Sequence, residues 1–152
     1  MAVNLADLIR KGGVFKDVEG SSPEEIYKKI TDKIDFGSEI SSELVYKSLC
    51  DREKIMSTAV GNGIALPHAR IPVIKDEKAQ KICIVYLKNP IDMNAPDDRK
   101  VFVMFVILTA NQQTHLKVLS ALVQIFNDND FKKLLEQHAS ETELLNSIKN
   151  LS

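Results

Sequence analysis

The chain has 152 residues, 44% of them apolar, enough for one domain with a sizeable core and too few for a second. Its 20 basic and 21 acidic side chains leave a net charge of -1, so no strong field favours nucleic acid or an anionic membrane surface. Cys50 and Cys83 form no CxxC pair, and the amino terminus lacks the basic start and apolar run of a secretory signal. The longest apolar run, Val101 to Ala110, is about half the roughly 20 residues that a membrane-spanning helix needs. The expectation is a cytoplasmic protein with reduced thiols and no membrane span.

Leu5, Leu8 and Ile9 start a short helix, and Val14 to Val18 read as a strand ended by Gly20. The next helix is the clearest. Ser22 can cap it, Pro23 suits its first position, Glu25 completes a capping box, and Ile26, Ile30 and Ile34 mark one face. Phe36-Gly37 breaks the chain. A further helix is expected over about Ser42 to Asp51, burying Leu44, Val45 and Leu49 beside Cys50, and its end delivers Arg52 and Glu53.

In Gly61-Asn62-Gly63-Ile64-Ala65-Leu66-Pro67-His68-Ala69-Arg70, glycines bracket Asn62, the run Ile64 to Leu66 reads as a short buried strand, and Pro67 fixes the approach to His68. Such a build aims a side chain rather than filling a core. A polar loop runs from Pro72 to Lys81, followed by a strand over Ile82 to Leu87 that is apolar on both faces. Pro90 to Lys100 forms a charged connection, and Val101 to Leu108 reads as a central strand.

Thr114 can cap the next helix, with His115 in its first turn and Leu116, Leu119, Leu122, Val123 and Phe126 as its apolar stripe. Two shorter helices finish the chain. One buries Phe131, Leu134 and Leu135; the other opens at a Ser140 to Glu143 capping box and buries Leu144, Leu145 and Ile148. Helices thus flank a central sheet.

Of three histidines, His68 and His115 fall where a strand ends or a helix begins, at the rim of an α/β sheet, and are expected to meet. His138 stands at a polar helix end, where a solvated or carbonyl-capping role is ordinary. A neutral imidazole, with an unperturbed pKa of about 6.5, is a nucleophile near neutral pH and can accept a phosphoryl group. Such a transfer needs alignment and donors around the phosphoryl oxygens, and Arg52, His115 and N–H groups near Thr114 or the glycine loop are the available ones. Ser57-Thr58 either helps line an anion site or is a strand-edge pair. The sequence has no HExxH or CxxC for a metal, no GxSxG elbow for a hydrolase, and no GxxxxGK[ST] continuation for a nucleotide loop.

Arg52-Glu53-Lys54, Ser57-Thr58, the run Gly61 to Ala69, and Thr114-His115-Leu116 with Leu119 together resemble the enzyme IIA domains of the fructose, mannitol and nitrogen-regulatory class, within the bacterial phosphoenolpyruvate-dependent sugar phosphotransferase system. The resemblance implies one domain over residues 1–152, an α/β fold of three layers, with a central mixed sheet flanked by helices as an α/β/α sandwich. It implies that His68 takes a phosphoryl group on Nε2 from the histidine phosphocarrier protein and passes it to a IIB component. His115 is then the second active-site histidine and Arg52 the phosphate-neighbouring arginine; no cofactor is expected, and the absence of metal-ligand spacing argues against a metal. Glu53 belongs to the motif without a chemical role. Two functions follow from the resemblance: a transfer component serving a sugar permease, or a nitrogen-regulatory signalling protein whose phosphorylation state controls its binding to regulatory targets. The end at Ser152, without a IIB or membrane part, favours a stand-alone component. An interaction module independent of phosphorylation is a third class, and the intact histidine pair argues against it.

Overall fold

Five strands form one mixed sheet in the order β1-β4-β5-β3-β2 in a computed structural model that describes residues 4–37 and 40–151. The ends of the expected 1–152 unit lie outside the described residues. In chain order the elements are α1 (Leu5–Gly12), β1 (Val14–Val18), α2 (Pro23–Lys33), α3 (Ser42–Ile55), β2 (Ala59–Gly61), β3 (Ile64–Ala65), β4 (Lys81–Ile91), β5 (Val101–Leu108), α4 (Gln112–Phe126), α5 (Asn129–Glu136) and α6 (Glu141–Leu151). β1 lies parallel to β4, β4 antiparallel to β5, β5 parallel to β3, and β3 antiparallel to β2.

Alternation along β4 and β5 sorts the core into two halves. Cys83, Val85, Leu87, Met104, Val106 and Leu108 point to the side covered by α2 and α3. Ile82, Ile84, Tyr86, Val103, Phe105 and Ile107 point to the side covered by α1, α4, α5 and α6. The expected three-layer α/β/α arrangement follows, with β5 in the middle of the sheet as its continuous apolar run requires. Both cysteines are unpaired and buried, and burial pushes the Cys83 thiol up to about 12.

Helix ends follow local chemistry. Ser22 Oγ accepts from the Glu25 N–H at 3.3 Å, but the Glu25 carboxylate takes the N–H of Ser21 at 2.9 Å, one residue before the cap. At α6 the box is complete: Ser140 N–H donates to Glu143 Oε1 at 3.2 Å and Glu143 N–H to Ser140 Oγ at 3.3 Å.

Three expectations need correction. α3 continues to Ile55, so Arg52 and Glu53 belong to its last turn, and Leu44 is half-exposed instead of buried. β4 runs on through Pro90 to Ile91, which a register shift between Tyr86 and Ile91 accommodates, since a proline is tolerated where the ladder is already broken. In α4 the cap is Asn111, whose Oδ1 accepts from the Thr114 N–H at 2.8 Å, and the buried stripe is Val118, Leu122, Ile125 and Phe126. Leu116 and Val123 face solvent.

Candidate active site

β2 and β3 form a hairpin whose two loop residues, Asn62 and Gly63, have φ of 56° and 79°. Both are left-handed, as a tight hairpin turn of matching twist requires. Gly63 is also a place of close approach, where a Cβ would lie 2.4 Å from Cδ1 of Phe102. The loop is tied down by Asp97, whose Oδ2 accepts from the Asn62 N–H at 2.9 Å.

Beyond β3 the chain keeps running parallel to β5. The Ile107 N–H donates to the Pro67 carbonyl at 2.9 Å, and His68 bridges to Ile107. His68 therefore stands at the carboxyl end of β5, where ligand chemistry in open α/β sheets collects. β5 ends at Leu108 and the Asn111 cap opens α4, which places His115 in the first turn facing the same rim. The two rings meet with centroids 4.5 Å apart and planes inclined by 45°. Arg52 approaches from the end of α3. Its Nη1 donates to the Met56 carbonyl at 2.6 Å, one of five N–H donors on the fork, and its charge is felt at both rings. The histidines share a shallow depression with Ala69, Pro72, Thr109 and Gln112.

His68 Nδ1 lies 2.8 Å from the Leu66 carbonyl oxygen. A carbonyl only accepts, so in the neutral ring the proton sits on Nδ1 and the lone pair on Nε2. Burial lowers the His68 pKa most; the Leu66 carbonyl works against that, Arg52 lowers it further, and Glu53 raises it. Burial, then His68, then Arg52 depress His115 to about 4. Both rings are uncharged at neutral pH.

Glu53, which the sequence left without a role, is a clamp. Its Oε1 accepts from the Tyr27 hydroxyl at 2.5 Å and the Thr58 hydroxyl at 2.7 Å, and its Oε2 from the Thr58 N–H at 2.8 Å. α2, the end of α3 and the residue just before β2 meet at one carboxylate.

Several of the other expected anion donors are already engaged. The Thr58 hydroxyl and N–H serve Glu53, the Ser57 hydroxyl donates to the Met93 carbonyl, the Asn62 N–H serves Asp97, and the Thr114 N–H serves its own cap. Ser57-Thr58 is thus a structural pair. His138 lies at the α5 terminus with φ of 54°, and its half-buried ring stacks on Tyr86 with centroids 4.5 Å apart, a ring contact beyond the expected solvated or carbonyl-capping role. Among the described residues no three His, Cys, Asp or Glu side chains gather as a metal site.

Three residues escaped the sequence reading, Tyr27 of the clamp being one. Leu66 contributes through its backbone carbonyl, which no side-chain motif signals. Asn111 stands three residues before Thr114, and asparagine's higher rank as an N-cap was the available sign of the true cap.

The fold and the rim geometry define a class: a three-layer α/β protein presenting paired neutral histidines beside an arginine. The family model described as "Phosphoenolpyruvate-dependent sugar phosphotransferase system, EIIA 2" matches residues 7–151, and the chain belongs to that family, whose members are phosphotransfer components. A nitrogen regulatory protein homolog of Haemophilus influenzae is 29% identical over 146 residues, covering 93% of this chain and 88% of the relative. The fructose-specific EIIABC component of Bacillus subtilis is 24% identical over 149 residues, 96% of this chain and 23% of that larger protein. Among solved structures, the nitrogen regulatory protein IIA-Ntr of Neisseria meningitidis superposes with a TM-score of 0.80 at 26% identity, covering 94% of this chain and 97% of that one. The complex of mannitol enzyme IIA with phosphorylated IIB from Escherichia coli shares the fold, with a TM-score of 0.70 at 18% identity over 91% of this chain and 95% of that one. No helix among the described residues is long and apolar enough to cross a membrane.

Proposed function

We propose that this chain is a cytoplasmic phosphoryl carrier that accepts phosphate on Nε2 of His68 from the histidine phosphocarrier protein and passes it to a IIB component. The observation that carries the reading is the 2.8 Å bond from Nδ1 to the Leu66 carbonyl, which leaves the Nε2 lone pair as the nucleophile. That lone pair attacks phosphorus, the donor's P–N bond breaks, and its electron pair returns to the donor's ring nitrogen. The new P–N bond leaves positive charge on the His68 ring, which Leu66's carbonyl oxygen stabilises through the Nδ1 proton.

Arg52 and His115 serve the phosphoryl oxygens. The neutral His115 ring still carries one N–H, which it can donate to a phosphoryl oxygen, and the negative charge of that group opposes the burial and positive neighbours that lower its pKa at rest. Arg52 supplies fixed positive charge and a planar fork. The pairing of mannitol enzyme IIA with IIB in a fold of this kind supports a IIB partner here.

The test is intact-mass spectrometry after incubation with phosphoenolpyruvate, enzyme I and the histidine phosphocarrier. The expected result is one phosphoryl group on the wild type and none on a folded His68→Ala variant; full labelling of that variant overturns the proposal. The nitrogen-regulatory names of the relatives support a second reading, in which the phosphorylated and unphosphorylated forms bind regulatory proteins differently. Purified IIB components with candidate sugars separate the two. Restored sugar phosphorylation indicates transfer, and pull-down of a kinase or channel by one phosphorylation state indicates signalling.

A further inference from the structure

Glu53 is joined to the His68 ring by a continuous ladder of hydrogen bonds. Its Oε2 accepts from the Thr58 N–H at 2.8 Å, the Thr58 carbonyl accepts from the Leu66 N–H at 2.9 Å, and the Leu66 carbonyl accepts from His68 Nδ1 at 2.8 Å. All three are of ordinary, well-formed length. Successive links pass through different peptide units of Thr58 and Leu66, so the ladder transmits position and not a proton.

The anchored end is rigid for a chemical reason. Three donors converge on the carboxylate, from the Thr58 N–H, the Thr58 hydroxyl and the hydroxyl of the fully buried Tyr27. An acceptor-only group satisfies all three without reorienting any of them. Arg52 precedes Glu53 in the same helical turn, so the clamp that fixes Glu53 also fixes the helix end from which Arg52 extends.

We infer that Glu53 is the positioning residue of the phosphoryl transfer: through Thr58 and Leu66 it holds the carbonyl that keeps the proton of His68 on Nδ1, and through α3 it holds Arg52 in place. The inference rests on His68 as the phosphoryl acceptor. It assigns geometry, not charge, as what Glu53 supplies. A glutamine can reproduce the geometry, with its oxygen on the Thr58 N–H and its amide donating to hydroxyls that turn to accept. An aspartate keeps the charge but is one methylene too short to reach.

The experiment compares Glu53→Gln with Glu53→Asp, substitutions milder than removal of the side chain. Long-range proton–nitrogen spectra of histidine-labelled protein report the His68 tautomer before any phosphate is added, and the rate of phosphoryl uptake from the phosphocarrier reports the consequence. Glu53→Gln should keep the single Nδ1–H tautomer and most of the rate. Glu53→Asp should show mixed tautomers and uptake slowed by about 10- to 100-fold, in line with the cost of a small misplacement. A Glu53→Asp protein with the native tautomer and native rate overturns the inference, as does loss of the tautomer in Glu53→Gln with retention in Glu53→Asp. Failure of His68 labelling in the wild type would instead remove the function proposed above, and the tautomer of the unphosphorylated protein still decides the role of Glu53.

Discussion

Replacing His115 by asparagine should make the protein less sensitive to acid. Folding depresses the His115 pKa from its ordinary 6.5 to about 4, chiefly by burial, with His68 and Arg52 adding to the effect. Below pH 6.5 the unfolded chain takes up a proton that the folded chain refuses until about pH 4, so stability falls as pH drops through that window and the whole cost is expressed below it. The depression corresponds to roughly 3 kcal/mol, and to roughly 2 once the solvent that still reaches the ring is allowed for. Protonating either ring of the pair disfavours protonating the other, so the cost belongs to the pair, and removing His115 should also ease the titration of His68. The assay is urea unfolding of wild type and His115→Asn at several pH values from 7.5 down to about 4. Carboxylates with lowered pKa, such as Glu25 and Asp97, also lose stabilising bonds in acid, but they do so in both proteins and cancel in the difference. The wild type should lose roughly 2 kcal/mol more than the variant over that range. Equal losses would refute the reasoning and place His115 in a solvated setting.

The remaining predictions concern how the rim is held. Asn111→Ala removes the α4 cap and should cost about 1 kcal/mol by urea unfolding, with slower phosphoryl uptake because His115 stands in the turn that loosens. Gly63→Ala places a methyl against Phe102 at a φ of 79° and should cost roughly 1–3 kcal/mol, with a matching fall in melting temperature. Arg52→Lys keeps the charge but loses the fork, and uptake should slow by roughly 10²-fold in stopped quench-flow with little change in stability.

Much of this arrangement was legible from spacing. The isoleucines at 26, 30 and 34, the run from Val101 to Leu108, and the glycines around Asn62 each have one economical reading, and the structure adopts it. The phase of α4 was read wrongly for a physical reason. Leu116 and Val123 extend an apolar pattern around more of the helix than the core covers, so Val118 and Ile125, which are buried, could not be told from them by hydrophobicity. Leu44 misled in the same way on α3. The cap of α4 was displaced because Asn111 and Thr114 are both good caps three residues apart. Of the candidate site, the histidine pair was legible because strand ends and helix starts converge at a sheet's rim. The clamp was not: Tyr27 lies 26 residues from Glu53, and the ladder from Thr58 to His68 runs through backbone atoms that carry no sequence signature.

The most direct test of the central claim is phosphorus and nitrogen NMR of the phosphorylated protein, read for which ring nitrogen of which histidine bears phosphorus. The geometry predicts Nε2 of His68, with the Nδ1 proton still bonded to the Leu66 carbonyl. Phosphorus on Nδ1 of His68, or on any other residue, would contradict it.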